Sequence, residues 1–187
     1  EFAETMFRRV LTTAIKAPQV VGVMVISKDT KALAIAREMG AKSIQETNNS
    51  DLNPALTRAT EVARIWGAKS ILVLPSDLPF LRLEDIEELV KLGQYPPRVV
   101  IAPDRFSNGT NALLVHPPGI IDYSYGEDSF IEHKTLANQL GVAVSIYNSD
   151  TIRLDIDFPE DLDIYNRRVI HGHYDGLSLY GIGGLET

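Results

Sequence analysis

The chain has no cysteine among its 187 residues. Disulfides and thiolate metal sites are therefore excluded, and a reducing cytoplasm is the expected setting. No apolar run approaches the roughly 20 residues that cross a bilayer, so no membrane is expected as a partner. Positive charge is scarce: 18 Lys and Arg stand against 25 Asp and Glu, a formal net charge of -7. Binding to a phosphate backbone rests on clustered Lys and Arg, so nucleic acid is not an expected partner either. Any phosphate must then be held locally, by a metal, a few basic groups or backbone amides. Two phosphate-binding fingerprints are missing as well. There is no Gly-x-x-x-x-Gly-Lys-Ser/Thr loop and no Gly-x-Gly-x-x-Gly turn, which excludes a Walker-type NTPase and gives no support to a dinucleotide fold.

What is present is the composition of an ordinary globular domain, with a length that suits a single core. Phe2, Met6, Phe7, Val10, Leu11, Ala14 and Ile15 recur at helical spacing, which predicts a helix over residues 1–17, ended by Pro18. Residues 20–27 and 70–75 are β-branched apolar runs that read as strands covered on both faces. Between them, helices are predicted over 30–39 and 53–66, each followed by a glycine stop (Gly40, Gly67), with a short strand at 43–45. Beyond them come a helix over 83–92, strands over 98–102 and 111–115, a helix over 129–140, a strand over 142–147, another over 152–156, and a helix over 160–169.

Strands alternating with helices of this length imply a three-layer αβα domain around a mostly parallel sheet. The two strands near 98–102 and 111–115 lack a helix between them, so the sheet is expected to be mixed, with an antiparallel member. Residues 1–170 read as one domain. The Gly-, Tyr- and Leu-rich tail from 171 to 187 reads as a disordered end or as an arm packing on a second subunit, which makes a homodimer the expected state. The chain opens at Glu1 inside a helix and shows no signal-peptide pattern, and the simplest expectation is a leading segment that is missing here.

Ligands of open α/β sheets gather beyond the carboxyl ends of the strands. Three polar clusters fall there. The first is Pro75-Ser76-Asp77, where a carboxylate directly follows an apolar strand; it suits a magnesium ligand and equally a turn cap. The second is Asp155-Ile156-Asp157. Asp157 is a plausible helix N-cap with Glu160 completing a capping box, whereas Asp155 is not explained by capping. The third runs from Asp104 and Arg105 through Asn108, Gly109, Thr110 and Asn111, and reads either as an anion loop with a clamping arginine or as a surface hairpin. Gly126 and Ser129 open a helix whose N-terminus is a further candidate anion site, and His133 shares a face with Ser129; a structural role ranks first for this histidine. Trp66 reads as core or interface, and Glu84, Asp85, Glu87 and Glu88 as a solvated helix face.

Leu74-Pro75-Ser76-Asp77-Leu78-Pro79 and Asp155-Ile156-Asp157-Phe158-Pro159-Glu160 together resemble the paired motifs of the nucleotide-diphospho-sugar transferase-like nucleotidyltransferases. Asn108-Gly109-Thr110-Asn111-Ala112-Leu113 and Gly126-x-x-Ser129-Phe130-x-x-His133 resemble one branch of that superfamily, the 2-phospho-L-lactate guanylyltransferases of deazaflavin coenzyme F-420 synthesis. The resemblance implies transfer of GMP from GTP to 2-phospho-L-lactate or phosphoenolpyruvate, with magnesium and release of pyrophosphate. It implies Asp77 and Asp155 as catalytic metal ligands. It also implies Thr110, Gly126 and Ser129 as phosphoacid-binding residues, with Arg105, Asn108, Gly109, Asn111 and His133 around them. Asn53, in Asp51-Leu52-Asn53-Pro54-Ala55-Leu56, would lie near the nucleotide with Pro75 and Ser76; Asp51 stands where a glycine is usual. The family also begins with a strand and a basic loop that grips the triphosphate. Two other readings remain: a nucleotidyltransferase for a molybdopterin or a sugar acid, and a non-catalytic relative of the same fold.

Overall fold

The computed structural model describes residues 2–46 and 51–170. Six helices and six strands follow one another in them: α1 (Phe2–Lys16), β1 (Met24–Ser27), α2 (Thr30–Glu38), β2 (Lys42–Gln45), α3 (Leu52–Ile65), β3 (Ile71–Val73), α4 (Leu83–Leu92), β4 (Arg98–Pro103), β5 (Thr110–His116), α5 (Ser129–Gln139), β6 (Ala143–Ile146) and α6 (Pro159–Ile170). Local chemistry sets several of the boundaries. Asp29 caps α2 by accepting from the Lys31 amide at 2.8 Å. Gly40 and Gly67, just past α2 and α3, take the left-handed backbone that stops a helix.

Two hydrogen-bonded sheets result. β1 and β2 pair in parallel. The larger sheet has the order β3-β5-β4-β6, with β6 parallel to β4 and β5 antiparallel to both β3 and β4. β5 is thus the antiparallel member expected from the missing crossover helix. Alternation along the central strands builds the three layers. Val100, Ala102, Ala112 and Leu114 face a core shared with Val10 of α1 and with Ile86 and Leu89 of α4. Val99, Ile101, Leu113 and Val115 face the opposite core, with Leu56 of α3 and Ala137 of α5. Each such fully buried aliphatic side chain contributes on the order of 2 kcal/mol.

Four expectations need correction. β1 and β3 are half-buried, not covered on both faces, because they are edge strands that do not bond each other. No strand forms over 152–156; that segment is irregular, with Ile152 and Leu154 pinned in the core by burial instead of by a ladder. Trp66 is not in the core, the first of its two expected places: it lies 59% exposed, its ring 5.8 Å from the Lys42 ammonium. Asp85 is not on a solvated face: it is 3% exposed and accepts from the Arg82 amide, Tyr147, Ser149 and Thr151. The tail from 171 lies outside the described residues.

Candidate active site

The topology delivers the polar clusters to one edge. β3, β4 and β6 run the same way, so their carboxyl ends share an edge with the amino end of the reversed β5. Asp77 follows β3, Asp104 and Arg105 follow β4, Thr110 opens β5, and the irregular 147–157 segment follows β6. Four stretches far apart in sequence therefore meet where ligands of α/β sheets bind.

The acids behave as a group. Asp77 Oδ1 is buried and has no hydrogen-bond partner among the described residues. Burial raises the Asp77 pKa above the usual carboxylate range, and the nearby Asp157 charge adds to that. Burial pushes Asp155 up to about 6, with further upward contributions from Asp157 and Asp77 and an opposing hydrogen bond from Asn111. Three carboxylates thus lie within one another's field, one of them with an orphaned oxygen, an arrangement whose charge a cation would offset. Asp77 and Asp155 are the residues that could hold one. Among the described residues no cluster of three or more His, Asp or Glu is close enough to hold a metal unaided. Such a set suits magnesium, which takes one or two carboxylates and fills its remaining positions with water and substrate phosphates.

Asp155 reaches the edge without the strand expected to carry it. Its segment is tied down by Asn111, whose amide donates to the Ile152 carbonyl at 2.9 Å. A bulge makes this possible: Ala102 pairs with Ala112 but Pro103 with Thr110, so Asn111 is an extra residue in β5. Bulges re-aim side chains. This one sends Asn111 to the Asp155 segment and Thr110 to α5. Asn111, 2% exposed, therefore positions the acid.

The 104–111 loop is held by its own contacts. Asp104 accepts from the Phe106 and Asn108 amides at 3.1 and 2.9 Å. A Cβ on Gly109 would lie 3.1 Å from Asp104 Oδ2, so the glycine allows this close approach. The Asn108 carbonyl accepts from the Phe130 amide, binding the loop to α5. Arg105 pairs with the buried Asp161 at 2.6 Å, so its guanidinium is committed to α6 and is not a free phosphate clamp. Asp161 also accepts from the Asp157 and Phe158 amides at 3.2 and 2.8 Å. It, not Glu160, closes the cap, because α6 begins at Pro159 and puts Asp161 at the third position.

Beside this loop, Thr110 Oγ1 lies 3.0 Å from His133 Nδ1 and accepts from Ser129 Oγ at 3.3 Å. His133 Nε2 accepts from the Ser124 amide at 3.0 Å. All three side chains are buried, and burial alone lowers the His133 pKa to about 4. At the start of α5 the Ser129 and Phe130 amides are already bonded to the Gly126 and Asn108 carbonyls, so they are not free anion donors. Gly126 takes φ 140, reserved to glycine, with open space at its Cβ position. Asn53 is spent on backbone: its amide exchanges hydrogen bonds with Tyr125, at 2.7 and 3.0 Å, and so fixes the Gly126 turn instead of pointing at a ligand. Ser76, exposed and next to Asp77, lines a cleft of about 410 Å³ between β1, α1 and α2, within the usual range for a small-molecule site. Pro75 is half-buried, two residues past β3.

A family described as "Guanylyl transferase CofC like" matches residues 1–176. The phosphoenolpyruvate guanylyltransferase of Conexibacter woesei is 38% identical over 181 residues, covering 94% of this chain and 81% of its own length. The 2-phospho-L-lactate guanylyltransferase of Methanocaldococcus infernus is 32% identical, with 87% of this chain and 72% of its own covered. Among solved structures, CMP:2-keto-3-deoxy-manno-octonic acid synthetase complexed with CTP superposes with a TM-score of 0.64 at 14% identity, covering 90% of this chain and 88% of that one. The 4-diphosphocytidyl-2C-methyl-D-erythritol synthase gives 0.65 at 14% identity, with 85% and 87% covered. At such identities the likeness shows the fold alone, that of nucleotidyltransferases. The family match over nearly the whole described chain shows more: this protein is a nucleotidyltransferase belonging to the CofC-like guanylyl transferase family.

Proposed function

We propose that the chain transfers GMP from GTP to a three-carbon phosphoacid, phosphoenolpyruvate before 2-phospho-L-lactate, as a step in coenzyme F-420 synthesis in the cytoplasm. The order of acceptors follows the relatives: three named for phosphoenolpyruvate stand at 38, 37 and 35% identity and two more at 32 and 33%, while those named for 2-phospho-L-lactate stand at 32, 33 and 34%. In the reaction a phosphate oxygen of the acceptor attacks the α-phosphorus of GTP. The bond from that phosphorus to the bridging oxygen breaks, and pyrophosphate leaves with its electron pair. Asp77 with Asp155 would hold magnesium, which when bound offsets the charge that develops on the phosphorus and on the leaving group. The observation that carries this reading is the orphaned Asp77 oxygen in the field of Asp157, with Asp155 likewise in reach of both.

The cleft lined by Ser76 is the proposed nucleotide site, and Thr110, Ser129 and the Gly126 turn form the proposed acceptor site. A homodimer through the 171–187 tail remains a proposal, which light scattering at micromolar concentration checks; a monomer refutes it.

Protein, GTP and magnesium mixed with phosphoenolpyruvate, phospholactate or a sugar acid test the reaction. Pyrophosphate is expected with the two phosphoacids. Its release with the sugar acid alone, or with none, overturns the reading.

A further inference from the structure

We propose that His133 is a positioning residue that turns Thr110 into a dedicated proton donor toward an anionic oxygen of the phosphoacid. The inference rests on the acceptor proposed above. The argument is one of hydrogen-bond accounting. A backbone amide can only donate, so the Ser124 amide at 3.0 Å obliges His133 Nε2 to accept. A neutral imidazole then carries its single proton on Nδ1, and that proton points at Thr110 Oγ1, 3.0 Å away. Ser129 Oγ donates to the same oxygen at 3.3 Å. A hydroxyl oxygen has two lone pairs and one proton. Both lone pairs of Thr110 are thereby filled, and the only vertex left is its own O–H.

Thr110 itself opens β5 at the sheet edge, next to the Asn111 bulge, where an anion would bring an acceptor. The environment keeps the ring in this state. His133 is 0% exposed, its face is covered edge-on by the Tyr125 ring at 4.9 Å, and burial opposes its protonation near neutral pH. A protonated ring would lose the Ser124 bond, because both nitrogens would then donate. The ring's contacts are the Thr110 hydroxyl, the Ser124 amide and the Tyr125 ring, none of which is charged near neutrality. Holding one hydroxyl in a single orientation removes the rotor freedom that the anion would otherwise have to overcome on binding.

Two variants separate the ring's two bonds. In His133→Asn the amide nitrogen stands where Nδ1 does and still donates to Thr110, while the Ser124 contact is lost. In His133→Gln the longer amide reaches the Nε2 position and satisfies Ser124, but nothing donates to Thr110. The expected result is a KM for the phosphoacid raised about tenfold in His133→Gln, the worth of one neutral hydrogen bond. The KM for GTP should not change, and His133→Asn should stay nearer wild type. Equal rises for both substrates, the reverse order of the variants, or no change overturns the inference. Nitrogen-15 NMR of the wild-type ring without substrate supplies an independent reading that does not require turnover. A proton on Nδ1 and none on Nε2 at pH 7 is expected; the opposite tautomer or a doubly protonated ring overturns the inference even if the transferase reaction is found. If pyrophosphate is released with no phosphoacid while the tautomer is as expected, the proposed function fails and the donor assignment loses its ligand with it.

Discussion

Asp77 shows what a single residue at the end of a strand can be asked to do. Its Oδ1 is buried without a partner, and burial already makes its charged form costly. Replacing it by Asn keeps the shape and removes that cost, so Asp77→Asn is expected to melt at or above the wild-type temperature. Turnover should fall by about a hundredfold or more, the size seen when a group that meets transition-state charge is lost. Pyrophosphate release and a thermal melt on the same preparation check this, and near-normal turnover removes Asp77 from the site. The candidate at position 77 was legible from its place at the carboxyl end of an apolar strand, although a turn cap explained that position equally well. Asn53, Arg105 and Asn111 were legible as members of the site but not in their roles. Their partners are Tyr125, Asp161 and Ile152, 72, 56 and 41 residues away, and no local pattern encodes such pairings.

Elements were easier to read than their joints. Helices announced themselves by apolar spacing and glycine stops, and the reversed strand β5 by the absence of a helix between 103 and 110. The segment over 152–156 has the apolar alternation of a strand but joins no ladder; it packs as an irregular ridge with Ile152 and Leu154 buried. What holds that ridge is Asp85 on α4, which takes Tyr147 at 2.9 Å, Ser149 at 2.7 Å and Thr151 at 2.6 Å, and caps its own helix through the Arg82 amide. Read along α4 alone it was one acid among four; only the fold turns it inward. Asp85→Ala strands several buried donors at once and is expected to cost about 3 kcal/mol or more. Glu88→Ala, on the same helix but in an exposed pair with Lys91, should cost under about 1 kcal/mol. Urea unfolding of both variants measures the contrast, and similar small losses would show that the ridge is held by apolar burial alone.

For the whole molecule, the site's buried groups make opposing demands on pH. Asp155, raised to about 6, is easier to bury protonated, so its contribution to stability falls as pH rises from about 4 to 6. His133 works the other way. Its folded pKa of about 4 lies below the ordinary 6.5, so the unfolded chain takes up a proton first as pH falls. Its contribution is fully present above about 6.5 and is lost as pH drops toward 4. The two slopes overlap, and the wild-type curve by itself hides both. The difference between wild type and His133→Asn isolates the histidine, because the Asp155 slope is common to both proteins. Measured in chelator by urea unfolding, the wild type is expected to lose about 3 kcal/mol relative to the variant between pH 6.5 and pH 4, from 1.36 kcal/mol per pKa unit. A difference that stays flat across that window would mean that the ring is solvated enough to titrate normally. In that case the Ser124–His133–Thr110 arrangement could not hold one protonation state at the sheet edge.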